Sequence, residues 1–150
     1  MEKIDIKRIY TDGMCEPNPG RGTWAFVVPS TGYTVAGHES VSTNNRMELA
    51  AVIGALRYAE KKEWSNVVII SDSKYCVDGF NSWMHKWKKK GIMPKKANTE
   101  LWELMWELKD SAVMEWVKGH AGNRYNEEAD IACTKKYEEL WGKVPERAYY

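Results

Sequence analysis

Val67-Val68-Ile69-Ile70-Ser71-Asp72-Ser73 is the stretch that decides the fold. Four successive β-branched apolar residues, with no polar alternation, read as a strand buried on both faces. Such a strand belongs inside a sheet that has helices on each side. Working towards the N-terminus, Leu49, Val52, Ile53, Leu56 and Ala59 share one helical face between Arg46 and Lys61, with Asn45 as the expected N-cap. Before it, residues 4–12 read as a strand, Gly13 to Gly22 as a loop, residues 23–29 as a second strand, Ser30-Thr31-Gly32 as a turn, and Tyr33 to Val41 as a third strand. Towards the C-terminus, Lys74 to Trp87 predicts one or two helices. Asn98 to Asp110 predicts another, with Leu101, Leu104, Met105 and Leu108 in register. Ala112 to Lys118 reads as a fifth strand, and Asn126 to Trp141 as a last helix ended by Gly142 and Pro145. The order βββ-α-β-α-(α)-β-α implies an α/β domain: a meander extended by parallel additions into a mixed five-stranded sheet with flanking helices. In such sheets, sites form near the carboxyl ends of parallel strands, and Asp12 and Asp72 both lie at or near a predicted strand end.

Bulk properties narrow the function classes. A length of 150 residues fits one domain, 1–150, with a short tail from about 142. No apolar run approaches the length of a membrane span, and Met1 to Asp5 lacks a signal peptide's apolar stretch. Three cysteines, Cys15, Cys76 and Cys133, are odd in number and widely spaced. They match neither a disulfide framework nor a zinc site, so reduced thiols in a cytoplasmic protein are expected. The net charge of +1, from 22 basic and 21 acidic residues, is low for a nucleic-acid binder. The charges are, however, unevenly placed.

Each acidic residue that carries the functional reading also has a local explanation. Asp12 precedes Gly13, a turn dipeptide. Glu48 stands three residues after Asn45, the capping-box position. Asp72 suits a helix cap, and Asp130 suits the first turns of a helix. The joint context is what informs. Tyr10-Thr11-Asp12-Gly13, Thr43-Asn44-Asn45-Arg46-Met47-Glu48-Leu49, Ser71-Asp72-Ser73-Lys74-Tyr75, and Gly119-His120-Ala121-Gly122-Asn123 with Asn126 to Asp130 occur in this order. Taken together they resemble type 1 ribonuclease H, over nearly the whole chain to about Trp141.

That resemblance implies a ribonuclease H-like fold and an endonuclease acting on the RNA strand of RNA·DNA hybrids. It implies Asp12, Glu48, Asp72 and Asp130 as metal-binding carboxylates, His120 as an auxiliary catalytic group, and Asn18, Asn44 and Asn45 as contacts to the hybrid. The implied cofactor is Mg2+, two ions per site with Mn2+ as a substitute. The implied products carry 5′-phosphate and 3′-hydroxyl ends. The chemistry accounts for the residue types: magnesium takes oxygen ligands, and a pair of ions about 3.5–4 Å apart stabilises both the attacking and leaving oxygens. Lys74 stands where the family often has glutamine; it can reach a phosphate but lacks amide readout of the minor groove. Met14 and Pro17 stand where the family often has a small polar residue and glycine.

Between Gly79 and Thr99 there is no acidic residue, while Lys86, Lys88, Lys89, Lys90, Lys95 and Lys96 fall within eleven positions. Most such runs are solvated helix ends. Here Trp83 and Trp87, four apart, share a face beside the lysines, an arrangement that suits a nucleic-acid backbone. By resemblance the segment matches the basic protrusion with which some type 1 ribonucleases H hold the DNA strand. The expected partner is therefore the hybrid, with no membrane and no obligatory protein partner, and the expected state is a monomer. Two other readings compete. An integrase or junction resolvase of the same superfamily would lack the Asn44 to Glu48 string. A non-catalytic hybrid-binding module would be expected to have lost one of the four acids.

Overall fold

The computed structural model describes residues 5–145. Its strands are β1 (Lys7–Cys15), β2 (Gly20–Val28), β3 (Tyr33–Ser42), β4 (Val67–Ser71) and β5 (Ala112–Trp116). They form one sheet in the order β3-β2-β1-β4-β5. The first three strands pair antiparallel, and β4 and β5 are parallel additions, as the meander and crossovers predict. The helices are α1 (Asn44–Lys61), α2 (Lys74–Asp78), α3 (Met84–Lys90), α4 (Thr99–Leu108) and α5 (Arg124–Trp141). A π-helical turn, Gly79–Trp83, joins α2 to α3 without a break in the helical path.

The sheet separates two apolar layers. On one face Ile9, Phe26, Val28 and Ile69 pack with Leu49, Val52 and Leu56 of α1 and with Trp102 and Met105 of α4. On the other, Met14 and Ala25 meet Cys133 and Tyr137 of α5. The alternation Ala25-Phe26 follows from the period of two along a strand. All three cysteines are buried and unpaired. Among the described residues no helix is long and apolar enough to cross a membrane.

Several boundaries differ from expectation. The predicted loop Gly13 to Gly22 shrinks to residues 16–19, because β1 and β2 remain paired as far as Cys15 opposite Gly22. The glycines misled here: they serve close approach. A Cβ on Gly13 would lie 2.7 Å from the Met47 carbonyl oxygen, and one on Gly22 would lie 2.6 Å from Met47 Cγ. Ile4, read as part of the first strand, and residues 146–150 of the tail lie outside the described residues. The N-cap of α1 is Thr43, not Asn45: Thr43 has extended backbone and its hydroxyl accepts from the Arg46 N–H at 3.1 Å. Glu48 is therefore not in the capping-box position. Ser73, not Asp72, caps α2 by accepting from the Cys76 N–H at 3.2 Å. Gly79 passes so near Trp102 that a Cβ there would overlap the indole. Within the π turn, Asn81 donates to the Met114 carbonyl at 3.0 Å and accepts from its N–H at 3.4 Å, so an amide occupies part of the free edge of β5.

Candidate active site

Register brings the first two acids together. In the parallel ladder Tyr10 lies opposite Ile70, where pairing between β1 and β4 stops. Asp12 and Asp72 each follow two residues later. The period of two sends both side chains to the same face, on neighbouring strands. Glu48 arrives from the second turn of α1 and bridges the strands just past the end of their ladder. Its Oε1 accepts from the Gly13 N–H at 2.8 Å, and its Oε2 accepts from the Ser71 hydroxyl at 3.4 Å. Ligand oxygens of Asp12, Glu48 and Asp72 all lie within 4.8 Å of one another. Asp130, half-buried on α5, stands outside this group of three, yet its charge acts on both Asp12 and Asp72.

The electrostatics follow from crowding under poor solvation. Asp12 and Glu48 are buried, with 6% and 8% exposure. Burial, then the charges of Glu48 and Asp72, hold the Asp12 carboxyl well above the usual range. Burial raises Glu48 to about 8, against the stabilising hydrogen bonds from Asp12 and Gly13. Asp72 is raised by burial, and less so by Asp130; a hydrogen bond with the Asn126 side chain and the nearby His120 oppose this. The cluster thus holds protons that a cation would replace. An all-carboxylate oxygen set suits a hard divalent ion, so the residues fit a metal centre.

The chain around Asp72 is shaped for it. A Cβ on Gly119 would lie 2.7 Å from Asp72 Oδ2, so any larger residue in the loop before α5 would push the carboxylate aside. Next to it, exposed His120 adopts a left-handed backbone with φ of 54°. Asn126, buried in the first turn of α5, faces Asp72.

The other expected residues divide into groups. Asn18 and Asn44 come together: the Asn44 N–H donates to Asn18 Oδ1 at 3.1 Å, and Asn44 Oδ1 accepts from the Cys15 N–H at 2.7 Å. Asn45 is exposed beside them. Lys74 is exposed at the start of α2 with its ammonium 4.7 Å from the centre of the Trp116 ring. Lys86, Lys88, Lys89 and Lys90 are exposed on α3, about 18 Å or more along the helical path from Lys74 at 1.5 Å per residue. Lys88 is tied to Glu103 of α4 at 3.0 Å. Trp83 and Trp87 lie side by side, ring centres 6.1 Å apart, as their spacing predicts. Both are half-buried, Trp83 against Tyr75 and Trp87 against Trp102, so part of each ring serves packing. Sequence reasoning missed Ser71, Gly119, Asn126 and Trp116. Of these, Asn126 carried a signal, an amide one turn before Asp130.

Comparison with known proteins agrees with this geometry. The RNase H family profile matches residues 5–138. A ribonuclease H of Treponema pallidum subsp. pallidum is 44% identical, covering 84% of this chain and 87% of that protein. One from Maricaulis maris is 41% identical, covering 91% and 97%. The crystal structure of LC9-RNase H1, described as a type 1 RNase H with the type 2 active-site motif, superposes with a TM-score of 0.76 at 27% identity, covering 99% of this chain and 81% of that one. A matched family profile over most of the chain, near relatives over nearly their full lengths, and a cluster of acids at the strand ends lead to one conclusion: the chain belongs to the RNase H family and is an endoribonuclease of that family.

Proposed function

We propose that this protein hydrolyses the RNA strand of RNA·DNA hybrids endonucleolytically, with two Mg2+ ions held by Asp12, Glu48, Asp72 and Asp130, and leaves 5′-phosphate and 3′-hydroxyl ends. The observation that carries the reading is the group of three carboxylates within 4.8 Å of one another, two of them buried and all three raised in proton affinity. When bound, the ions supply charge stabilisation for an in-line displacement at phosphorus, and Mn2+ can take their place. Asp12 and Glu48 would hold the ions in competition with protons, given their raised proton affinity, and the Gly13 N–H and Ser71 hydroxyl keep Glu48 aimed at the site. His120, beside Asp72, is suited to accept a proton from the reacting water or to speed product departure. Asn18, Asn44 and Asn45 form a polar edge near the carboxylates that reads the minor groove, where the 2′-hydroxyl distinguishes RNA from DNA. Lys74, with Lys86, Lys88, Lys89 and Lys90 beside Trp83 and Trp87, holds the phosphate backbone. Buried, unpaired cysteines fit a monomeric enzyme of the cytoplasm.

The test is cleavage of an end-labelled hybrid with Mg2+, alongside double-stranded RNA and double-stranded DNA. The expected result is internal cuts in the RNA of the hybrid alone, with fragments that a ligase accepts after no end repair. Uncut hybrid, or equal cutting of double-stranded RNA, refutes the reading.

A further inference from the structure

Trp116 ends β5 with 44% of its surface exposed, a large aromatic left open beside the acidic cluster. A surface indole ordinarily turns its N–H to water. Here Nε1 donates to the backbone oxygen of Asp72 at 3.0 Å. The Val117 N–H donates to the Ser71 oxygen, also at 3.0 Å. Two successive carbonyls, of Ser71 at the end of β4 and of Asp72 just beyond it, are thereby tied to the end of β5, at the last β4–β5 pair, Ser71 opposite Trp116. Asp72 is the least buried of the three clustered acids. The face of the same indole carries Lys74, with the ammonium 4.7 Å from the ring centre. Lys74 stands two residues beyond Asp72 and is exposed. A cation over a π face keeps N–H groups free for a phosphate.

We infer that Trp116 is a positioning residue: its indole N–H holds the Asp72 peptide so that the carboxylate faces the cation site, and its ring holds the Lys74 ammonium beside the cluster, where a strand phosphate passes. The second half rests on the hybrid-cleaving reading; the first rests only on the cluster's fitness for a divalent ion. The two halves call for different chemistry. Phenylalanine would keep a π face and lose the N–H, whereas leucine would lose both.

The experiment measures two properties that need no turnover. Mg2+ binding is read by calorimetry on the whole chain without nucleic acid. Hybrid affinity is read in EDTA over a range of KCl concentrations. W116F is expected to weaken Mg2+ about tenfold, the lower end of the cost of losing a group that orients a metal ligand, with the salt slope kept. W116L is expected to show the same Mg2+ loss and a slope smaller by up to about 0.9, the share of one neutralised phosphate. K74A should match W116L in slope and bind Mg2+ no more weakly than the wild type. Should W116L fold poorly, W116M, apolar and without a π face, replaces it. Wild-type Mg2+ affinity in W116F overturns the hold on Asp72. An unchanged slope in W116L while K74A loses slope overturns the hold on Lys74. A wild-type chain that fails to cut hybrids defeats the proposed function instead, and leaves the Mg2+ comparison to judge Trp116.

Discussion

Replacing Gly13 by alanine tests whether the close approach of β1 to α1 sets the site's geometry. The added Cβ would lie 2.7 Å from the Met47 carbonyl oxygen and closer still to the Glu48 backbone nitrogen, against 3.4 Å for ordinary contact, so strand and helix must part by at least about 0.7 Å. The obstacle is helix backbone, which has no rotamer to yield. Overpacking of this kind costs about 1–3 kcal/mol, or a Tm lower by roughly 3–10 °C in a domain of this size. The same movement lengthens the 2.8 Å bond from the Gly13 N–H to Glu48 Oε1 and shifts Glu48 from Asp12. A misplacement approaching 1 Å lowers turnover by up to about 10²-fold. Gly32→Ala is the control: Gly32 has φ of +71° and nothing within 4 Å of a Cβ, so its alanine variant strains the backbone far from the acids. Thermal melts and kcat at saturating Mg2+ and hybrid are compared for the two. If Gly13→Ala keeps kcat within twofold of the wild type, or loses no more than Gly32→Ala, the close approach is only a packing feature and does not set the geometry of the acids.

In EDTA, stability should fall as pH rises. The carboxyls of Asp12, Glu48 and Asp72 bind protons more tightly folded than unfolded, so their contribution is whole below the ordinary carboxylate range and is lost as pH climbs through the folded values, up to about 8 for Glu48. Tm measured from pH 5 to 8.5 should decline in EDTA and flatten with saturating Mg2+, which replaces the protons; a rising Tm in EDTA refutes this. Asp12→Asn should abolish hybrid cleavage while raising Tm in EDTA as pH climbs, because a buried carboxyl that is costly to ionise beside Glu48 and Asp72 is gone, and loss of both activity and folding would contradict it. His120→Ala should reduce kcat by about 10²–10⁴-fold without changing Mg2+ affinity, and full activity would remove it from the mechanism. Replacing Lys86, Lys88, Lys89 and Lys90 with alanine should raise KM and reduce the salt slope by up to about 0.9 for each phosphate no longer neutralised, with Lys88 contributing least because Glu103 holds it; unchanged KM and slope would leave the run as a solvated helix face.

Much of this molecule follows from local pattern. The unbroken β-branched run at Val67 to Ile70 needs both faces covered, and that alone requires a layered α/β sheet. The helical faces of α1 and α4 and the order of acidic motifs are equally local, and their outcome is the observed strand order and the RNase H family. The errors cluster where partners are distant in sequence. Gly13 looks like a turn residue until α1, some 35 positions away, is seen against it. Thr43 and Ser73, rather than Asn45 and Asp72, cap their helices, because the capping residue is set by which backbone turns out of extended conformation. No periodicity states that Tyr10 pairs with Ile70, yet that register is what sets Asp12 beside Asp72. Trp116 lies within the strand expected at Ala112 to Lys118 and nothing local marks it; only the passage of β5 beside the end of β4 gives its N–H the Asp72 carbonyl, 44 positions away. Periodicity acts over a turn or two of chain and can be read in one dimension. Register, close approach and the raised proton affinity of a carboxylate cluster arise between segments, and exist only once the sheet has closed around them.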